Sequence, residues 1–177
     1  MEENIKFLQD QLRRSSVEFS ELVSSLSPEV FVQNTGGKWS AGQDLHHLVK
    51  TLGVIFTGFR LPMWLARLVF SRADRPSKTY AEFGERYRIK MKVAHKAPSF
   101  VLPKPVSAEK REKLLRDLAT VTDGFCARLS VLHESDLDKI AAPHPLFGKV
   151  TLREMVMSAW LHTDHHTNML KRKLGRE

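Results

Sequence analysis

The apolar positions along the chain recur at alternating spacings of three and four residues, the period of a helix that packs one face against a core. In residues 3–26 this stripe consists of Ile5, Leu8, Leu12, Ser15, Phe19, Leu22 and Leu26. The pattern predicts a long amphipathic first helix. Ser27 and Pro28 then predict a short helical turn with proline at its first position, and residues 34–37 predict a loop.

A second long helix is predicted over about 41–59, because Ser40 and Gln43 have the spacing of a capping box. Its inward stripe would be Leu45, Leu48, Leu52, Ile55, Phe56 and Phe59. Pro62 is expected to end or bend this helix. A helical piece near 79–93 follows in a less regular segment.

Three X-Pro pairs between residues 97 and 105 predict an extended crossover. Ser107 is expected to cap a third long helix that ends near residue 132. Its core positions would be Leu114, Leu118, Val121, Phe125, Leu129 and Leu132.

The last long helix is predicted to run to about residue 172, after a second capping box formed by Thr151 and Glu154. Its stripe is Leu152, Met155, Ala159, His162, His166 and Met169. Residues 141–150 are expected to be a loop, and no two-residue alternation predicts a strand. Four long helices with one long crossover predict an all-α four-helix bundle, forming one domain over residues 1–177.

Composition narrows the class of protein further. The 177 residues include one cysteine, Cys126, which excludes a disulfide scaffold and is expected to be a small buried hydrophobe. The first residues contain no apolar signal segment, so we expect a cytoplasmic protein. Residues 51–70 are apolar, but Arg60, Pro62 and Arg67 interrupt them, so no membrane span is expected.

The net charge of +8 comes from one central segment. Residues 60–116 contain 15 basic and 5 acidic residues, a net charge of +10, whereas the flanking segments have net charges of −2 and zero. Such a bias fits nucleic acid, an anionic membrane surface or an anionic small ligand. The segment has several prolines and no recognised nucleic-acid motif, so nucleic acid is not the expected partner. Binding of nucleic acid or an anionic membrane through residues 60–116 stays an alternative function.

The placement of the histidines on the predicted helices separates them. His162 and His166 lie about 40° apart on one helical face, at stripe positions where leucine or methionine is expected. His165 lies on the far side of His162 and is the poorer ligand. On the second helix His47 shares a flank with small residues, whereas His46 falls on the polar face.

Neutral imidazoles are good ligands for zinc, nickel and similar divalent ions. Three histidines would leave one position open for water or substrate, as a catalytic site requires. Such a metal polarises a carbonyl or lowers the pKa of a bound water or thiol. The alternative is that the pair at 162 and 166 is a surface pair or a hydrogen-bonded core pair.

Two motifs, one over residues 39–48 and one over residues 144–166, resemble signatures of the DinB/YfiT-like superfamily. The N-terminal signature, Trp-Ser-x-x-Glu-x-x-x-His-Leu, resembles the residues Trp39-Ser40, Gln43 and His47-Leu48. The C-terminal signature resembles residues 144–154 followed by His162 and His166. Gln43 stands where the family often has glutamate, so a role for that carboxylate as acid or base would be lost here.

The resemblance implies a metal-binding helical bundle, often a homodimer, with His47, His162 and His166 as the metal ligands. Characterised members include transferases and an isomerase that use low-molecular-weight thiols such as bacillithiol, mycothiol or glutathione. The leading hypothesis is therefore a metal-dependent thiol transferase or hydrolase that acts on a small-molecule substrate, with zinc or nickel as the metal. A non-catalytic, metal-stabilised scaffold is the other alternative.

Several residues have a second interpretation. His144, His165 and His46 are candidates for the shell around the metal ligands, although the favoured interpretation of His144 is a loop histidine beside a turn-setting proline. Glu154 is interpreted as a cap and Asp164 as a solvated residue. The expected packing residues are Trp39, Trp160, Tyr80, Phe83 and Tyr87, the last three in the core or at a dimer surface. The crossover cations Arg86, Arg88, Lys90 and Lys92 are expected to attract an anionic ligand if they fold over the open end of the bundle.

Overall fold

A computed structural model describes residues 4–34, 37–93 and 97–176. Its α-helices are α1 (Ile5–Ser24), α2 (Pro28–Val32), α3 (Ala41–Phe59), α4 (Met63–Val69), α5 (Tyr80–Met91), α6 (Arg111–Leu129), α7 (Glu134–Lys139) and α8 (Leu152–Lys173). The all-α class is therefore confirmed. The predicted start of the first helix at residue 3 and the centre of the 34–37 loop lie outside the described residues.

The four long helices contact one another in a ring, because α1 and α3 each pack against both α6 and α8. The core between them is formed by the predicted stripes, including the fully buried Leu8, Phe19, Leu45 and Phe125. Trp160 of α8 is completely buried, as expected of a packing residue, and packs against Phe7 and Tyr80. His162 and His166 belong to the inward stripe of α8, so both face α3.

The prediction of a loop over residues 141–150 was wrong. Residues Ser71–Arg72 (β1), Ile140–His144 (β2) and Gly148–Thr151 (β3) form a small antiparallel sheet in the order β1-β2-β3. The first three residues of β2 are all buried, so the strand lacks the alternation that marks a half-exposed strand. Gly148 has a φ of 69°, a left-handed backbone conformation that glycine adopts readily and that allows the tight turn between β2 and β3.

Local capping chemistry sets the starts of α3 and α8 but not that of α6. The capping boxes of Ser40 with Gln43 and of Thr151 with Glu154 are present as predicted. Ser107 makes no side-chain cap; a 3₁₀ turn over Ala108–Lys110 intervenes, and α6 begins at Arg111.

Within the described residues, no single helix is long and apolar enough to cross a membrane. Helices α3 and α4 pass that test only as a pair, and they meet at an angle of 104°.

A buried ion pair joins the segment before α5 to the start of α8. The Glu154 carboxylate is fully buried and accepts hydrogen bonds from Arg75 at 2.6 and 2.8 Å. It also accepts from the backbone N–H groups of Lys78 and Thr151. Burial alone would raise the pKa of Glu154, but Arg75 and these N–H groups hold it below its usual value. Glu154 is thus a cap, as predicted, and also an anchor for the preceding segment.

We expect E154A to lower the free energy of unfolding by about 3 kcal/mol, because it leaves the Arg75 guanidinium without its partner in a half-buried site. E82A is the matched control, since Glu82 has the same capping role at the exposed start of α5. Its loss should be clearly smaller. Urea denaturation followed by circular dichroism measures both, and equal losses would contradict the anchoring role of Glu154.

Candidate metal centre

Three histidines converge between α3 and α8. His47 lies on α3, and His162 and His166 lie one turn apart on α8. One ring nitrogen from each lies within 4.8 Å of the other two, and the Nε2 atoms of His47 and His162 are 2.9 Å apart. His47 and His166 are 3% and 5% exposed, so the inward orientation that the helical wheel predicted for His47 is confirmed.

Each ring has a hydrogen-bond partner at its Nδ1 atom. His47 Nδ1 lies 2.8 Å from the Val101 carbonyl oxygen, and His166 Nδ1 lies 3.0 Å from Asp44 Oδ1. His162 Nδ1 lies 3.2 Å from the Tyr87 hydroxyl. A carbonyl or carboxylate oxygen only accepts, so the Nδ1 atoms of His47 and His166 carry hydrogen and donate. Their Nε2 atoms then hold the lone pairs that bind metals.

Burial keeps the rings of His47 and His162 neutral. Desolvation lowers the pKa of His47 to about 4 and that of His162 well below its ordinary value, with neighbouring histidines adding to the effect. A neutral imidazole needs no deprotonation before it binds a cation. Ligand nitrogens at tetrahedral positions about 2.0–2.1 Å from one ion lie about 3.3 Å apart, within about half an ångström of the 2.9 Å between the His47 and His162 Nε2 atoms. The donor set therefore fits a divalent ion such as zinc or nickel.

Asp44 is the residue at this site that the sequence analysis missed. Its side chain is 1% exposed. Asp44 Oδ1 accepts from His166 Nδ1, and Asp44 Oδ2 accepts from Lys173 Nζ, each at 3.0 Å. The Lys173 ammonium also donates to the Trp39 carbonyl. In the sequence, Asp44 looks like an ordinary acidic residue in a first helical turn. Asp44 precedes His47 by three residues and so lies near it on the surface of α3, but only the packing of α8 shows that His166 is its partner.

Aromatic side chains enclose the histidines. The Trp39 ring stacks parallel to His166, with centroids 6.3 Å apart, and lies 5.0 Å from the ring of His47. Tyr87 of α5 is buried, which raises the pKa of its hydroxyl, so this group stays protonated beside His162. Trp39 is thus a packing residue, as expected, but what it packs against is the histidine cluster.

The histidine cluster lines a cavity of about 1190 Å³. Most of the cavity wall is apolar; it includes Val54, Ile55, Phe59, Phe70, Met91, Phe100, Leu146 and Met155. Lys38, Arg172 and Lys173 are the lysines and arginines among the described residues of the wall, and Asp44 is the carboxylate. The cavity thus joins a donor cluster to a largely apolar space of small-molecule size.

The three further candidate histidines occupy different places. His144 and His165 line the cavity, and burial lowers the pKa of each to about 4. His144 Nδ1 accepts from the Leu146 N–H at 3.1 Å, and the ring of His165 lies 5.7 Å from that of His166. His46 is not part of the cavity wall and accepts a hydrogen bond from the Lys104 N–H.

The charges of the central segment are not placed as expected. Arg86, Arg88, Lys90 and Lys92 do not line the cavity. Arg86 donates to the Phe147 carbonyl and lies over its ring, and Arg88 pairs with Glu85. Arg86, Arg88 and Lys90 are on α5 and Lys92 is its C-cap residue. The cavity-facing residues of α5 are Tyr87 and Met91, about one helical turn apart.

Two other expectations can be compared with the structure. Cys126 is completely buried, as predicted. Asp164 was expected to be solvated, but it is partly buried and pairs with Arg14 of α1 at 2.9 Å. Burial raises the pKa of Asp164, with Arg14 opposing the shift. The helical wheel of α8 placed Asp164 away from the histidine pair but could not show that α1 covers it.

A helical bundle with three convergent imidazoles on the wall of an open cavity has a donor set that could hold a divalent metal ion between facing helices. A sequence model of the DinB superfamily matches residues 11–170, and the chain belongs to this superfamily. The resemblance inferred from the motifs around His47 and His162 is thereby confirmed. A search of curated proteins found no match to this chain.

Acid should destabilise the fold partly through His144. Its pKa is about 4 in the folded chain and about 6.5 when exposed, because burial and the nearby Arg86 disfavour the charged ring. Between these pH values the unfolded chain binds a proton that the folded chain does not, so stability falls as the pH drops from about 6.5 toward 4.

We expect H144N to reduce this acid-induced loss by about 2 kcal/mol, less than the full shift implies because the ring is partly exposed. The asparagine oxygen can still accept from the Leu146 N–H. Urea denaturation at pH 7 and pH 4.5 measures the difference, with H133N as the control at an exposed histidine. An H144N variant with an unchanged difference would contradict this role.

Proposed function

We propose that this protein is a divalent-metal-dependent enzyme of the transferase or hydrolase type, acting on a small molecule bound in the cavity. The observation that carries the proposal is the placement of the histidine cluster on the wall of that cavity rather than inside a closed core. A structural metal site is closed by protein ligands, whereas three protein ligands beside an open space leave room for a substrate.

His47, His162 and His166 would hold the ion through their Nε2 atoms, with zinc or nickel as the metals that suit imidazole ligands best. When bound, such an ion supplies Lewis acidity that lowers the pKa of a thiol or water and polarises an electrophile. Asp44 and the Val101 carbonyl hold two of the rings in the required tautomer and orientation.

The cavity wall favours a particular kind of substrate. Its apolar side chains exclude water and suit an aliphatic or aromatic body. Lys38, Arg172 and Lys173 outnumber the single wall carboxylate, Asp44, so an anionic group on the substrate is favoured. A low-molecular-weight thiol that carries carboxylates fits this charge, and it would be the second substrate of a thiol transferase.

The competing functions have less support. A non-catalytic scaffold does not need a cavity of about 1190 Å³ beside its metal ligands. Nucleic-acid binding through residues 60–116 is weakened because many of the cations in that segment have protein partners. These partners include Asp136 for Arg67, Glu154 for Arg75, Glu85 for Arg88 and Asp117 for Lys113.

We expect protein purified without an affinity tag to contain about one divalent ion per chain, and H162A to contain almost none. D44N should still bind the ion, but about 10- to 100-fold more weakly, because it removes the anionic acceptor that orients His166. Elemental analysis measures the content, and competition with a chelator measures the affinity.

Two matched variants serve as controls for this loss. H46N changes the neighbouring histidine outside the cavity, and D164N changes an aspartate on α8 that faces α1. Both should retain metal as the unchanged protein does. If H162A keeps its full metal content, the assignment of the ligands is wrong.

The metal-loaded protein is expected to accelerate conjugation of a thiol such as glutathione or bacillithiol to a chloronitroarene, with chloride released. Chelation and H162A should abolish the acceleration, and H46N should preserve it. Absorbance of the conjugate measures the rate, and ester hydrolysis is measured in parallel. A protein that holds one metal ion per chain but turns over neither substrate class would favour the scaffold instead.

A further inference from the structure

The short helix α4 presents an apolar face to solvent. Trp64, Leu68 and Val69 are 65%, 75% and 60% exposed, whereas Ala66 on the opposite side is 3% exposed. Trp64 and Leu68 are four residues apart and therefore adjacent on the helix surface. Large apolar side chains exposed in one cluster, rather than singly, mark a surface that is covered by something else.

The position of α4 explains why the rest of the chain does not cover this face. Pro62 interrupts the chain after α3, and α4 departs from the axis of α3 at 104°. The helix therefore lies across the end of α3 instead of along the bundle. Its inner side, with Ala66, packs on the core, and the other side faces outward.

A basic pocket adjoins this apolar face. The pocket has a volume of about 450 Å³ and is lined by Arg67, Ser71, Arg72, Ser135, Asp136, Lys139 and Ile140. Arg67 belongs to α4 itself and Arg72 follows it by five residues, so the pocket and the apolar face form one continuous surface. Three cations face one carboxylate, because Asp136 is the only acidic residue among the described pocket residues.

Only one of the three pocket cations forms an ion pair within the described residues. Arg67 pairs with the buried Asp136 at 2.6 Å. Arg72 and Lys139 are exposed and form no side-chain ion pair within the described residues. The pocket therefore has positive charge that no carboxylate compensates, and the Ser135 hydroxyl is a hydrogen-bond donor beside it.

We propose that this surface docks the protein onto an anionic phospholipid membrane. An exposed tryptophan and leucine suit the boundary between headgroups and acyl chains, where an apolar face inserts to shallow depth. The adjoining arginines and lysine suit lipid phosphates, and their aliphatic stems allow the charged ends to reach the headgroup layer. A partner that used only the apolar face, or only the basic pocket, would leave the other part of the surface unused.

Nucleic acid and a second copy of this chain fit the surface less well. Phosphate contacts of a nucleic acid would use the cations but leave the Trp64 and Leu68 side chains without an apolar partner. A two-fold contact between copies through α4 would bring the same cations of both copies together. An anionic membrane meets the apolar face and the cations at once.

The test is co-sedimentation of the full-length protein with vesicles. We expect binding to vesicles of phosphatidylcholine with 30% phosphatidylglycerol, which are the probe, and at least about tenfold weaker binding to pure phosphatidylcholine. Binding should weaken as salt is raised. The W64S/L68S and R72Q/K139Q variants should each lose at least about tenfold in affinity; Arg67 is left unchanged because Asp136 depends on it.

Matched controls separate this surface from general effects. V131S replaces an equally exposed apolar residue elsewhere, and K6Q/K113Q removes two surface cations from α1 and α6. Both should bind anionic vesicles as the unchanged protein does, and circular dichroism shows whether each variant is folded.

Three outcomes would overturn the proposal. The first is absence of binding to anionic vesicles at low salt, and the second is unchanged binding by folded W64S/L68S. The third is a dimer in analytical ultracentrifugation that W64S/L68S abolishes, without vesicle binding, since a second copy would then cover α4. None of these results depends on the metal or on enzymatic activity.

Discussion

Three imidazole rings occupy core positions where a helical bundle ordinarily buries leucine or methionine, and the surrounding structure depends on keeping them satisfied. A buried polar ring is tolerated only when its hydrogen-bonding atoms have partners. Here each Nδ1 atom has one, supplied by the Val101 carbonyl, the Asp44 carboxylate and the Tyr87 hydroxyl. These partners occupy the Nδ1 atoms, and the Nε2 atoms of His47 and His162 lie 2.9 Å apart. The same contacts that make burial acceptable therefore also create the donor cluster.

Burial of Asp44 follows from the same constraint. A carboxylate at 1% exposure is costly unless it is paired, and Asp44 accepts from both His166 and Lys173. The Lys173 ammonium, near the end of α8, therefore joins the last turn of that helix to the first turn of α3. The histidine cluster is thus held at one end by an anion and its counter-cation, and that end of the bundle is fixed by electrostatics as well as by packing.

Periodicity and capping signals were sufficient for the four long helices, because each is long and has a clear apolar stripe. The inward orientation of His47 could also be predicted, since its helical flank carries small residues. Other features depend on contacts that sequence spacing does not encode. Asp44 pairs with His166, 122 residues further along the chain, and Asp164 is covered by Arg14 of α1. The first three residues of β2 are all buried, so the strand shows no alternation.

The irregular crossover has a more specific role than its composition indicated. Four cations of the wider segment 60–116 pair with carboxylates of the chain, namely Arg67, Arg75, Arg88 and Lys113. The backbone of the crossover itself helps to build the site. The Val101 carbonyl orients His47, Lys50 of α3 donates to the Leu102 carbonyl, and the Lys104 N–H donates to His46. Each of these contacts joins the crossover to α3 within five residues of chain. The donor cluster is therefore complete only when the crossover is docked, because without it the His47 ring has neither a fixed tautomer nor a fixed orientation.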